Sequence, residues 1–142
     1  MTEAPITHRG CVYIRECDHM GHLNVAYYVQ KFDQATWNFF ADVGLTLDYI
    51  RDNKIVMAAV EQVITYKREL LPGDVLVVRT QLLELAGKKI RFRHVMTNGV
   101  TGEEAAITDQ LALCVDAEAR KSRQFPGEII ANGVAILAGQ TG

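Results

Sequence analysis

The sequence predicts an α+β domain in which one long helix packs on an antiparallel sheet of about five strands. Three observations carry this. From Val25 to Val43 the apolar residues recur at helical spacing. After Val56 the chain alternates apolar and polar side chains. Short turns containing glycine separate the alternating stretches.

The chain has 142 residues, which suits one domain over 1–142 with a sizeable core. Hydrophobic content of 49% with 23% charge excludes a disordered chain. The formal net charge of −2 supplies no basic field for nucleic acid. No apolar run reaches membrane-spanning length, and "MTEAPITHRG" lacks a signal peptide's apolar core, so a cytoplasmic location is expected. Cys11, Cys17 and Cys114 form no even framework and read as reduced thiols.

Residues 1–9 are expected to be a loose end. "GCVYIREC" (10–17) reads as the first strand, with Val12 and Ile14 on one face and Tyr13 on the other. The helix follows: Val25, Tyr28, Val29, Phe32, Thr36, Phe39, Phe40 and Val43 form its apolar stripe. Asn24 suits the N-cap, where its side-chain oxygen accepts an orphan N–H, and Gly44 suits a left-handed C-terminal position. Gln30, Lys31, Asp33 and Gln34 are placed on the polar face, and Trp37 opposite the stripe.

"LTLDYIRDN" reads as a short helical turn. From Val56 the even positions Val56, Ala58, Val60, Ile64, Tyr66 and Leu70, broken by Gln62 and Arg68, mark a strand, and "LPGD" (71–74) matches a type II turn. "VLVVRTQLLEL", "KIRFRHVMT" and "AAITDQLALCVD" are three further strands, with hairpins expected between the last four. Residues 127–142 are a tail or a loose short helix. Val75 to Val78 are apolar on both faces of their strand, which calls for a second covered surface, most simply another subunit.

The chemistry gathers in "RECDHMGHLN" (15–24), where the first strand feeds the helix N-terminus. That end carries unpaired N–H groups and a partial positive charge, a site for a carbonyl oxygen that becomes negative during reaction. The N–H of Val25 or Ala26 is the natural donor. Asp18 stands in the same loop, and a carboxylate facing such a carbonyl attacks it or activates a water. The structural alternative is that Asp18 only caps the turn at Gly21. Cys17, Asp18, His19 and His22 raise a metal site, but no CxxC or HExxH context supports one, and no metal is expected. His94 falls on the apolar side of its strand and reads as a core histidine. The GxSxG elbow of serine hydrolases is absent, and Ser122 is the only serine.

Glu16, Asp18, Gly21-His22-Leu23-Asn24, Tyr27 or Tyr28, and Phe32-Asp33-Gln34-Ala35 together resemble the opening motif of hotdog-fold acyl-CoA thioesterases of the 4-hydroxybenzoyl-CoA thioesterase type. "ITYKRELLPGDVLVVRTQLLEL" and "TGEEAAITDQLALCVD" resemble the family's later strands, so the likeness spans roughly residues 10 to 126. The resemblance implies a hotdog fold that dimerises edge to edge, often into tetramers, with the active site at the dimer interface. It implies Asp18 as nucleophile or general base and the N–H near Val25 as the carbonyl's donor. His22 and Asn24 then hold the loop, the water or the carbonyl. The substrate is an acyl-CoA, and coenzyme A enters as part of it rather than as a cofactor. Arg68 and Arg91 are candidates for the coenzyme A phosphates. Tyr28, Met57, Ala58 and Val60 are candidates for the acyl pocket.

Two rivals follow from the same scaffold. A hydratase or dehydratase of acyl thioesters would use an Asp–His pair, yet the Asn-Pro-x-His run of that branch is absent. A module that only binds acyl-CoA would tolerate the loss of Asp18.

Overall fold

The computed structural model describes residues 3–141. Its strands are β1 (Ile6–Cys11), β2 (Ile55–Tyr66), β3 (Val75–Ala86), β4 (Lys89–Asn98) and β5 (Glu104–Asp116). Its helices are α1 (Val25–Val43), α2 (Leu47–Asp52) and α3 (Gly127–Thr141). The strands form one antiparallel sheet in the order β1-β3-β4-β5-β2, with α1 packed across one face.

α1 runs where the apolar spacing places it. Asn24 caps it, its Oδ1 accepting the Ala26 N–H at 3.0 Å, and Gly44 ends it at φ 105°. Only glycine holds such a φ without strain. The stripe is more selective than the periodicity suggests. Tyr28, Phe32, Ala35, Thr36, Phe39, Phe40 and Val43 are buried, while Val25 and Val29 stay exposed.

The N-terminal expectations need correction. Residues 1–9 are not all loose: Ile6–Cys11 pair with β3 as an edge strand. "GCVYIREC" is not the first strand, because the chain turns after Cys11 and Ile14–Glu16 form one turn of 3₁₀ helix. The physical reason is pinning by the 71–74 turn. Val12 N–H donates to Asp74 O and Gly73 N–H to Val12 O, each at 2.8 Å, which ends the ladder there.

That turn has the expected type II form. Asp74 N–H closes on Leu71 O at 2.9 Å, and Gly73 sits at φ 90°. It does not make a hairpin, however. β2 pairs with β5 rather than with β3, so hairpins join only β3–β4 and β4–β5. Alternation along β4 holds as read, with Ile90, Phe92, His94 and Met96 all buried. α3 is not loose. Ile129 is buried, Gln140 exchanges two 2.8 Å bonds with the Leu82 backbone, and Gly133 lies so close to Leu85 that a Cβ would meet it at 2.6 Å.

The core has two halves under α1. Phe39, Phe40 and Val43 meet Leu82, Leu85, Ile90, Phe92 and Ile129. Tyr28, Phe32 and Ala35 meet Val12, Leu70, Leu76, Val78 and Met96. His94 joins them, stacked on Phe32 with ring centroids 5.8 Å apart and tilted on Phe92 at 5.1 Å. Its polar atoms are satisfied in a fixed direction. Thr36 spends its hydroxyl proton on Phe32 O, so His94 Nε2–H donates to Thr36 Oγ1 at 2.8 Å. Thr80 in turn donates to His94 Nδ1 at 2.7 Å, and Thr7 backs Thr80 at 2.7 Å. His94 is therefore a neutral core residue, and burial pushes its pKa from the ordinary 6.5 down to about 3.

Candidate active site

The loop ahead of α1 is built by backbone bonds that fold it over the helix N-terminus. Asp18 N–H donates to His22 O at 3.2 Å, and Gly21 N–H to Asp18 O at 3.0 Å. Gly21 takes φ 88°, the left-handed conformation this tight turn needs. Leu23 N–H reaches Leu70 O at 2.8 Å, and Asn24 N–H reaches Glu16 O at 3.0 Å.

Beneath the loop lies a buried ion pair absent from the sequence reading. Lys31 Nζ donates to both Glu16 oxygens, at 3.1 and 3.3 Å, and Tyr13 N–H donates to Glu16 Oε1 at 2.9 Å. Burial alone would raise the Glu16 carboxyl; the Tyr13 N–H and the Lys31 ammonium outweigh it and hold it below the usual range. The signal was present. Lys31 stands three residues after Tyr28 and four before Ala35, on the buried stripe rather than on the polar face.

Asp18 is half-buried, and both carboxylate oxygens have donors. Oδ1 accepts the Met20 N–H at 2.9 Å and Oδ2 accepts Asn24 Nδ2 at 3.1 Å. The Met20 N–H first, and then the Asn24 amide, hold its pKa below the usual carboxylate range. Asn24 is thus a bridge: one end of its amide caps α1 and the other end grips Asp18. The cap also resolves the choice of helix donor. Ala26 N–H is taken by Asn24 Oδ1, and among the described residues Val25 N–H has no acceptor within the chain. His22 turns aside, its Nε2 lying 3.5 Å from Glu69 Oε1.

Two hollows flank the helix start. One, of 230 Å³, is lined by His22, Val25, Tyr28, Lys67, Arg68 and Glu69 among others. The second is a groove of 390 Å³ between α1 and the β2–β5 end of the sheet. It begins at Ala26 and runs along α1 past Val29, Gln30 and Asp33 to Trp37 and Phe40. Asp18 stands beside the helix start, outside the lining of both hollows.

The expected substrate residues therefore separate. Tyr28 and Arg68 meet at the first hollow, where Tyr28 Oη donates to Arg68 O at 3.3 Å. Met57 lines the groove. Ala58 does not, because successive strand residues point to opposite faces. Val60 does not either: it is the extra, half-exposed residue of a bulge between Ala59 and Glu61. Arg91 stands away from both hollows and pairs with Glu84 on the neighbouring strand. Trp37 is not idle on a far face; it lines the groove, edge-to-face with Phe40 at 5.7 Å. Among the described residues no group of three or more His, Cys, Asp or Glu is gathered closely enough to hold a metal ion.

The chain is similar to several known proteins. It is 27% identical over 136 residues to the betainyl-CoA thioesterase of Pseudomonas aeruginosa, covering 96% of this chain and 86% of that protein. It is 25% identical over 108 residues to the long-chain acyl-CoA thioesterase FadM of Escherichia coli, covering 76% of this chain and 81% of that protein. The fold matches SAV2348 of Staphylococcus aureus, solved in complex with CoA, at a TM-score of 0.88 and 21% identity, covering 97% of this chain and 87% of that one. The family model of the thioesterase-like superfamily matches residues 12–133, and the chain belongs to that superfamily, the hotdog fold expected from its opening motif.

Proposed function

We propose that the protein hydrolyses acyl-CoA thioesters to a free acid and coenzyme A. The observation that carries this is the pairing of an ionised carboxylate, Asp18, with an unpaired helix N-terminal N–H, Val25, in one loop. The N–H and the helix's partial positive charge polarise the thioester carbonyl and stabilise the oxyanion as it forms. Asp18 supplies the electron pair, either by attacking the carbonyl carbon or by taking a proton from an attacking water. The thiolate of coenzyme A leaves; on the first route water then hydrolyses the acyl–Asp18 anhydride, restoring the carboxylate and supplying the thiol proton, and on the second the proton held by Asp18 passes to the thiolate. Betainyl-CoA and long-chain acyl-CoA thioesterases among the relatives support the class of reaction.

The 230 Å³ hollow receives the pantetheine side, and the groove receives the acyl group; Lys67 and Arg68 at the hollow's wall pair with Glu104 and Glu103, each at 2.8 Å, and would exchange those exposed partners for phosphate. No metal or separate cofactor takes part. The protein works as a homodimer joined through β2. Among the described residues that strand has β5 as its one ladder partner, and it exposes Val60 and Val63 at the sheet edge. Among the described residues no helix is long and apolar enough to cross a membrane, and the substrate class fits a cytoplasmic site of action.

The test is thiol release from short, long, branched and aromatic acyl-CoA esters by wild type and Asp18→Asn in parallel. Asn keeps the size of the side chain but loses the charge and turns one acceptor into a donor facing Met20 N–H or Asn24 Nδ2, so the variant should lose at least about a thousandfold in kcat while staying folded, with a lowered melting temperature. No release from any ester by folded wild type excludes the hydrolase, and hydration of an enoyl-CoA is then the reaction to assay. If the loss is confined to stability, Asp18 is only a turn residue.

A further inference from the structure

The groove beside α1 carries a chemistry that selects among acyl groups. Its α1 wall is a single face at helical spacing: Ala26, Val29, Gln30, Asp33, Trp37 and Phe40. Asp33 is the only charged side chain on its lining, and no Lys, Arg or His stands there. Among the described residues Asp33 is exposed and joins no ion pair, although the lysine two residues before it is fully engaged with Glu16. Trp37 is half-exposed, an aromatic surface one turn beyond that carboxylate.

We propose that this groove binds an acyl group carrying a cation at its far end, with Asp33 and Trp37 as the residues that recognise it. This rests on the thioesterase reading above, which places the carbonyl at the Val25 N–H. A carboxylate beside an open indole, with no competing cation, is the arrangement that favours an organic ammonium. Distance sets how far out the charge must be. Val25 and Asp33 are eight residues apart on α1, about 12 Å along the axis. An extended chain gains about 1.25 Å per bond, so an ammonium six bonds beyond the carbonyl lies about 7.5 Å from it. An ion-pair contact of about 4 Å then closes the gap. The ammonium of a betainyl group, two bonds out, lies about 2.5 Å from the carbonyl and falls well short. The groove therefore suits a longer cationic acyl chain than that relative's name indicates.

The test uses four esters on the whole protein: ω-trimethylammoniohexanoyl-CoA, hexanoyl-CoA, adipyl-CoA and betainyl-CoA. The expected result is a kcat/KM ratio of about ten or more for the cationic hexanoyl ester over hexanoyl-CoA, with adipyl-CoA the poorest. Asp33→Asn should bring that ratio down to about one. Trp37 is the chain's single tryptophan, so its fluorescence reports on this groove alone. In an Asp18→Asn background, which spares the esters, the cationic ester should shift that emission and adipyl-CoA should not. A ratio near one in wild type, a ratio unmoved by Asp33→Asn, or a preference for betainyl-CoA overturns the proposal while leaving hydrolysis intact. Absence of turnover with all four and no cation-specific emission change overturns the cation site, while the emission change without turnover keeps the cation site and leaves the thioesterase reading to the wider ester panel above.

Discussion

Asp18 owes its state to two donors rather than to a neighbouring cation. Each stabilises the carboxylate form, so the acidic limb of the kcat/KM profile should lie below the range of an ordinary aspartate. Asn24→Ala removes one of those donors and the helix cap together. The limb should then move to higher pH, and unfolding should become easier by about 1 kcal/mol. A pH–rate series with a urea titration measures both. Lys31 makes a separate prediction. Its removal leaves the Glu16 carboxylate buried with only the Tyr13 N–H, so Lys31→Met should cost about 3 kcal/mol in urea denaturation. Activity should fall beyond what stability explains, because Glu16 O also holds the Asn24 N–H that fixes the loop.

At the scale of elements, β4 and α1 are joined through one polar residue in an apolar layer. His94 accepts from Thr80 and donates to Thr36, and a second proton on Nδ1 forces the Thr80 hydroxyl to turn away. Its pKa is about 3 when folded and near the ordinary 6.5 when unfolded. The unfolded chain therefore binds more protons between those values. The contribution of His94 is fully present above about pH 6.5 and is lost as pH falls toward 3, at up to about 1.4 kcal/mol per pH unit. Urea midpoints at pH 7.5 and 5.0 should differ accordingly, and His94→Gln should flatten that part of the slope.

For the whole molecule, the unpaired edge of β2 is the feature a monomer leaves unexplained. It exposes two valines and a row of backbone groups, and it forms one wall of the groove beside α1. In the proposed dimer a second copy would pair there, continuing the sheet and closing the groove. Sedimentation should give a dimer or a multiple of it. Lysine at both Val60 and Val63 should shift the protein toward monomer and reduce turnover together.

Much of this was legible in the chain itself. The start, end and cap of α1, the alternation of β4, the turn at Pro72-Gly73 and the placing of Asp18 against a helix N-terminus all depend on residues within a few positions of one another. Local periodicity and turn chemistry decide such features. Pairing over long separations was decided only in the folded chain. β2 lies beside β5 rather than β3, Ile6–Cys11 add to the far edge, and α3 is held by the Leu82 backbone. The same holds for the groove. A bulge at Val60 resets which β2 residues face it, and Lys31, polar by type, is drawn into the core because Glu16 is waiting there. Sequence spacing reports which face of an element a residue occupies, while the partner across that face comes from a remote segment and is selected by packing and charge pairing after the elements meet.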